Sequence, residues 1–386
     1  MPVILLVCTL FAAGPVGDAS PLILGADDEA DVLLLAPRQA EEGPDGNLYV
    51  LDVGDSTIKV YTPAGEFLRS LAGKGEGPGE FQRIDGASFG FTPAGLLFFA
   101  EYIRGHRWLT IMELDGRVVR TLSPVVDMTF GVAKAAALDD GGFLLQLAYM
   151  STVHRQQEYF LYDSPRSLVR INAEGHVTAE LKRTMVTTGI SYSADGGDTS
   201  LPFRPAFAWT LLAGGEVVWT DGTSPVFTLF ALDGRPARAL QSPLPEPTPV
   251  TSDELADWQR ERKTRGLENY PDWWHRFGRV VEEYDESLYP RPSAQRLSTT
   301  PGGRILVEGV WNGETGGAHY WLLDAEGQQL CARVLAIRDL HVSPHFVMGF
   351  VDDDEGRTLL YVMNHGGDEM AALSKVGTML ETEETP

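Results

Sequence analysis

Apolar and polar positions alternate along this chain in short runs, and a glycine-bearing turn precedes most of them. The runs LYVLD (48–52), LLFFA (96–100), FLLQL (143–147), EVVWT (216–220), RILVE (304–308) and RTLLYV (357–362) follow Gly46, Gly95, Gly142, Gly215, Gly303 and Gly356. A second set of turns carries Gly65, Gly116, Gly175, Gly234, Gly327 and Gly377, most of them after an aromatic or aliphatic strand. Period-two alternation predicts half-buried strands, and glycine supplies the positive φ of a tight hairpin turn. The two turns of each pair are 19, 21, 33, 19, 24 and 21 residues apart. The repeating unit therefore reads as strand, turn, strand, connection, strand, turn, strand.

Six such units predict an all-β chain, a six-bladed β-propeller in which radial closure hides the sheet edges. Asp31 to Ala36 (DVLLLA) reads as the first blade's inner strand or as the strand that closes the ring. The last blade is expected from about His345 to Leu380. One segment departs from the pattern. Thr251 and Glu254 have capping-box spacing, opening a polar helix to about Arg265 that Gly266 stops. Pro271 then opens a second helix with Trp273, Phe277, Val280, Val281 and Tyr284 on one stripe. This predicts a helical insertion, 251–287, between the fourth and fifth blades. It reads either as a hairpin packed on the rim or as a lid with Trp274 and His275 facing a ligand.

The stretch GKGEGPGEF (73–81), the segment DGNLYVLD (45–52) and STIKVYTPAGEFLRSL (56–71) resemble the NHL-repeat propellers, most closely over Gly46 to Leu122. The chain also resembles exported six-bladed propeller proteins of bacteria. That resemblance implies a propeller fold. It leaves function open, because such folds include lyases, hydrolases, sensor domains and interaction scaffolds.

Composition narrows the functions. With 31 Lys+Arg against 54 Asp+Glu, the net charge of −23 argues against nucleic acid and against an anionic membrane surface. Residues 4–13 (ILLVCTLFAA) match a signal-peptide core and fall short of a bilayer span. No basic residue precedes them, so a buried first strand is the alternative reading. Taken as a leader, 1–19 gives a periplasmic or extracellular protein, a single propeller domain over 20–380 and an acidic tail at 381–386. Cys331 is then the sole cysteine, which excludes an internal disulfide.

Candidate chemistry comes from two sets of positions. Six residues past the first-turn glycine stand Asp52, Glu101 and Asp221, but also Ala148, Gly309 and Val362. Such acids cap the following turn or line a binding face. The loop after Glu101 adds Arg104 and His106. The second set lies at the expected mouths of inner strands: Arg83, Asp85, Asp127, Arg204, Arg296 and His345. Its arginines would give the acidic protein a local positive pocket. With Trp274, these residues form the expected ligand-binding set. The expectation is a monomeric, non-enzymatic module for a small molecule, glycan, peptide or protein. The alternative is a hydrolase or lyase with Asp85, Asp127 or His345 as acid or base. No HExxH, EF-hand or P-loop pattern occurs. No resident cofactor is expected, and calcium or zinc at a central channel is the one metal arrangement left open.

Overall fold

The computed structural model describes residues 21–25, 32–75, 77, 79–80, 88–101, 109–123, 130–149, 152–156, 159–191, 199–284, 287, 289–312 and 316–381. The chain is mostly β. Its described strands form six antiparallel sheets, the strand complement of a six-bladed propeller. The first sheet is Pro37–Glu42, Leu48–Asp52, Thr57–Tyr61 and Phe67–Leu71, each paired with the next. The second spans Ser88–Phe91 to Val118–Leu122, the fourth Ala208–Leu211 to Pro236–Gln241, and the fifth Arg296–Thr299 to Gln329–Leu335. The chain divides into two compact units, 71–297 and 1–70 with 298–386.

Eleven of the twelve expected turns are present, and their geometry is uniform. In each, a glycine at φ between +75° and +94° donates its N–H to the carbonyl three residues back, as Gly65 does to Thr62 at 2.9 Å. This left-handed position follows a tight turn in a hairpin, where a side chain would be strained. At DDGG the residue is Gly141 rather than Gly142. The twelfth turn is absent: Gly377 lies within helix α4 (Glu369–Glu381) instead. Asp368 starts that helix by accepting the Ala371 N–H at 2.9 Å, and Ala372, Leu373 and Val376 bury one face of it.

The sixth sheet corrects two expectations. Residues 32–36 of DVLLLA are not a strand. The first sheet begins at Pro37, and Leu22–Leu24 pairs with Thr358–Asn364, Leu22 opposite Val362. The sixth sheet thus runs Leu22–Leu24, Thr358–Asn364, Phe346–Asp352, Arg338–Val342. Hydrophobic residues of the first and sixth sheets share one core, including Val50, Tyr61, Met348 and Leu360.

The third sheet absorbs the 33-residue turn spacing. Its strands Tyr159–Ile171 and Val177–Ser191 are 13 and 15 residues long, pair with each other, and extend beyond the shorter neighbour Phe143–Tyr149. Helices α1 (Ser252–Asn269), α2 (Pro271–Phe277) and α3 (Arg279–Glu282) pack on this extension. The Thr251 capping box forms as expected. Gly266 does not stop α1, which runs on to Asn269. A Cβ at Gly266 would land inside the van der Waals radius of the Trp274 ring, so the glycine marks a close approach of helix to indole.

Candidate functional site: three converging arginines

Three chain segments meet through one apolar cluster. Leu161 and Ile190 come from the long hairpin, Leu201 from the segment after it, and Leu255 from α1. Each segment carries an arginine just beyond its anchor. Arg166 lies on Leu161's strand and shares the face of Leu168, two positions on, which packs on Phe207 and Trp209. Arg204 is three residues before that Phe207 and three after Leu201. Arg262 is seven after Leu255, hence on the same helix stripe, with Trp258 between them. All three arginines are half-buried.

Their charges are felt mutually. Burial first, and the neighbouring Arg204 second, bring the Arg166 guanidinium well below its ordinary value, to about 10. Burial and Arg262 lower Arg204 in the same way. No carboxylate among the described residues pairs with any of the three. Thr184 stands directly opposite Arg166 in the hairpin, and its buried Oγ1 has no hydrogen-bond partner among the described residues. Phe203, just before Arg204, holds φ +49°, a strained backbone for a bulky residue. Its ring lies 5.8 Å from the Arg291 guanidinium, which is itself paired with Glu254.

A half-buried cluster of like charges is unfavourable unless an anion completes it. Guanidinium forks match carboxylate and phosphate oxygens bidentately, and an adjacent hydroxyl adds a donor. The described groups of the cluster are hydrogen-bond donors, an arrangement suited to holding an anion.

The expected site residues divide three ways. Arg204 belongs to the cluster. Arg83, Asp85, Arg104, His106 and Asp127 lie outside the described residues. Arg296 is exposed at the start of Arg296–Thr299 and engaged in contacts of its own. Trp274 is buried between Gly266 and Gly278 and faces the protein, which corrects its expected role toward a ligand, whereas His275 is exposed. Glu101 is buried and held by neighbouring groups.

Asp52 is a structural cap. It accepts the N–H groups of Leu35 and Ala36 at 2.8 Å and Gly54 at 3.1 Å, and it pairs with buried Lys59 at 2.7 Å. Asp221 similarly accepts from Thr223 N–H and Oγ1. His345 is paired with Glu42, and both lie in the unit formed by 1–70 and 298–386. Arg166 and Arg262 carry no motif. The readable signal was the Leu255–Trp258–Arg262 stripe, a cation where the apolar face of α1 continues. Among the described residues, no group of three or more His, Cys, Asp or Glu is arranged to hold a metal. No described helix is long and apolar enough to cross a membrane.

No protein-family profile matches the chain, and no curated protein sequence does. Among solved structures, it is similar to virginiamycin B lyase from Staphylococcus aureus, at 8% identity, 89% coverage of this chain and 98% of that one, with TM-score 0.43. It is also similar to a member of the DUF4221 family from Bacteroides vulgatus (10%, 90% and 97%, TM-score 0.46). A luciferin-regenerating enzyme is similar at 9% identity, 90% and 96% coverage and TM-score 0.44. At such identities the chemistry of this chain rests on its own side chains.

Proposed function

We propose that this chain is an exported, NHL-like six-bladed propeller that binds a small ligand bearing two or more negative charges. Arg166, Arg204 and Arg262 hold its carboxylate or phosphate groups, with Thr184 as a further donor. The α1–α3 segment inserted between the fourth and fifth sheets covers the site and contributes Arg262. The observation that carries this reading is the convergence of three guanidinium groups, from three separately anchored segments, with no carboxylate partner among the described residues. In a protein of net charge −23, an uncompensated basic cluster is a local exception that selects anions. Export rests on the leader-like 4–13 stretch.

The test is calorimetric titration at low ionic strength with inorganic phosphate and with citrate. Saturable binding that weakens with salt, and that Arg204→Met and Arg262→Met each abolish, is the expected result. Wild-type protein that takes up neither anion, or an Arg204→Met variant that binds like wild type, would overturn the reading.

A further inference from the structure

A second constellation lies in the unit formed by 1–70 and 298–386, built from groups the anion site does not use. Glu42, at the end of Pro37–Glu42, has a side chain only 3% exposed. Its carboxylate accepts Ser343 Oγ at 2.6 Å, the His345 N–H at 3.0 Å and His345 Nδ1 at 2.5 Å. A carboxylate can only accept, so the ring proton sits on Nδ1 and the lone pair on Nε2. The His345 side chain is 66% exposed, which leaves Nε2 accessible to solvent.

The hairpin bearing His345 is fixed from behind. Buried His365 contacts the Ser343 carbonyl through Nε2 at 2.9 Å and accepts the Gly367 N–H on Nδ1 at 3.1 Å. Its own N–H donates to the His345 carbonyl at 2.9 Å. Both ring nitrogens of His365 are thus engaged, and its role is support. Glu41, next to Glu42 in sequence, pairs with His341 at 3.1 Å.

A buried carboxylate thus fixes the ring of an exposed imidazole, while His365 holds the backbone of its hairpin. This is the arrangement that orients a general base and stabilises its protonated form. We propose that Glu42 and His345 form a general-base dyad that hydrolyses small, uncharged activated esters or lactones, with His345 as the catalytic residue and Glu42 as its positioning residue. Nε2 takes a proton from water as the water oxygen bonds to the acyl carbon. The tetrahedral adduct then collapses with cleavage of the acyl C–O bond, and the imidazolium proton passes to the departing alkoxide. Acid and alcohol leave, the neutral imidazole is restored, and nothing is oxidised or reduced. An exposed base suits a leaving group that departs without prior protonation, hence activated esters and strained lactones. The glutamates beside it disfavour anionic substrates.

The test is release of p-nitrophenolate from p-nitrophenyl acetate, from pH 5 to 9, by the full chain. Saturable turnover above that of equimolar free imidazole is expected, rising with pH as a single ionisation. His345→Ala, a change at an exposed side chain, should lower it at least tenfold. Glu42→Gln presents an amide donor to Nδ1 and should move the ring proton to Nε2, seen in long-range nitrogen–proton NMR correlations. That variant should lose about tenfold or more in rate with an unchanged circular dichroism spectrum. A wild-type rate no greater than free imidazole, or a His345→Ala rate equal to wild type, would sink the dyad. Unchanged tautomer and pH profile in Glu42→Gln would remove Glu42 from it.

Discussion

Replacing Arg166 by methionine should stabilise the ligand-free protein, the reverse of what most changes at a half-buried position do. The Arg166 guanidinium is held to about 10 by burial and by Arg204. At about 1.4 kcal/mol per tenfold change in protonation equilibrium, keeping it charged at pH 7 costs roughly 3 kcal/mol. Solvent reaches part of the side chain, and screening reduces that to about 1–2 kcal/mol. Methionine keeps most of the apolar stem's packing and removes the charge. The melting temperature in low-salt, anion-free buffer should rise by about 2–8 °C, at roughly 2–4 °C per kcal/mol.

The gap closes when ligand is present. An anion at ten times its dissociation constant stabilises wild type by about 1.4 kcal/mol through linkage, and the variant gains nothing. Scanning fluorimetry with and without phosphate should therefore show the two proteins moving toward each other as ligand is added. The pH dependence follows from the direction of the shift. A base lowered in the folded state carries its full penalty below about 10 and is relieved as pH rises through that value. Alkali should narrow the gap between variant and wild type. The reasoning is refuted if Arg166→Met melts lower than wild type without anion, or if phosphate stabilises both equally.

Three further outcomes follow from the same structure. Lys59→Met leaves Asp52 buried with its backbone donors but without its cation, and chemical denaturation should show a loss of about 3–5 kcal/mol. Gly266→Ala should destabilise the protein by roughly 1–3 kcal/mol, because overpacking against Trp274 outweighs the ~1 kcal/mol gain in helix propensity. Melting curves and the tryptophan emission spectrum check it. Tyr61, raised to about 12 by burial and then by Asp52 and Asp55, keeps its proton when the unfolded chain has lost it. Folding then binds more protons than unfolding does between about pH 10 and 12, so this group's contribution to stability falls over that window. Tyrosinate absorbance at high pH should show its ionisation coinciding with unfolding, and Tyr61→Phe should blunt the loss.

The hairpin turns were legible because each needs one residue at positive φ, and glycine marks that need locally. Gly377 shows where the rule fails: the glycine was read as a turn, whereas Ala372, Leu373 and Val376 recur at helical spacing. Gly266 was misread for the opposite reason, since its use is close approach to a ring eight residues on, and only packing reveals it. Leu22–Leu24 is three residues long, too short for a periodicity to register, and its partner lies at the far end of the chain. The sites were less legible than the fold. Arg204 and His345 were singled out by position, but their partners Arg166, Arg262 and Glu42 are brought in by register and helix packing. Asp52 and Asp221 look like a repeated site in sequence and are turn caps in structure, as short acidic side chains at strand ends are disposed to be.

The pairing of Leu22 with Val362 also sets an order on synthesis. The two residues stand about 340 positions apart, and at roughly 5–20 residues per second the first waits on the order of twenty seconds to a minute for the second. Until then the edge that Leu22–Leu24 will cover does not exist, and the sixth sheet cannot be completed. A contact of such sequence separation is slow to close once both partners are available. The nascent chain must therefore keep Leu22–Leu24 unpaired, or held by another factor, until Thr358–Asn364 has been made, whereas the first sheet pairs strands adjacent in sequence and need not wait.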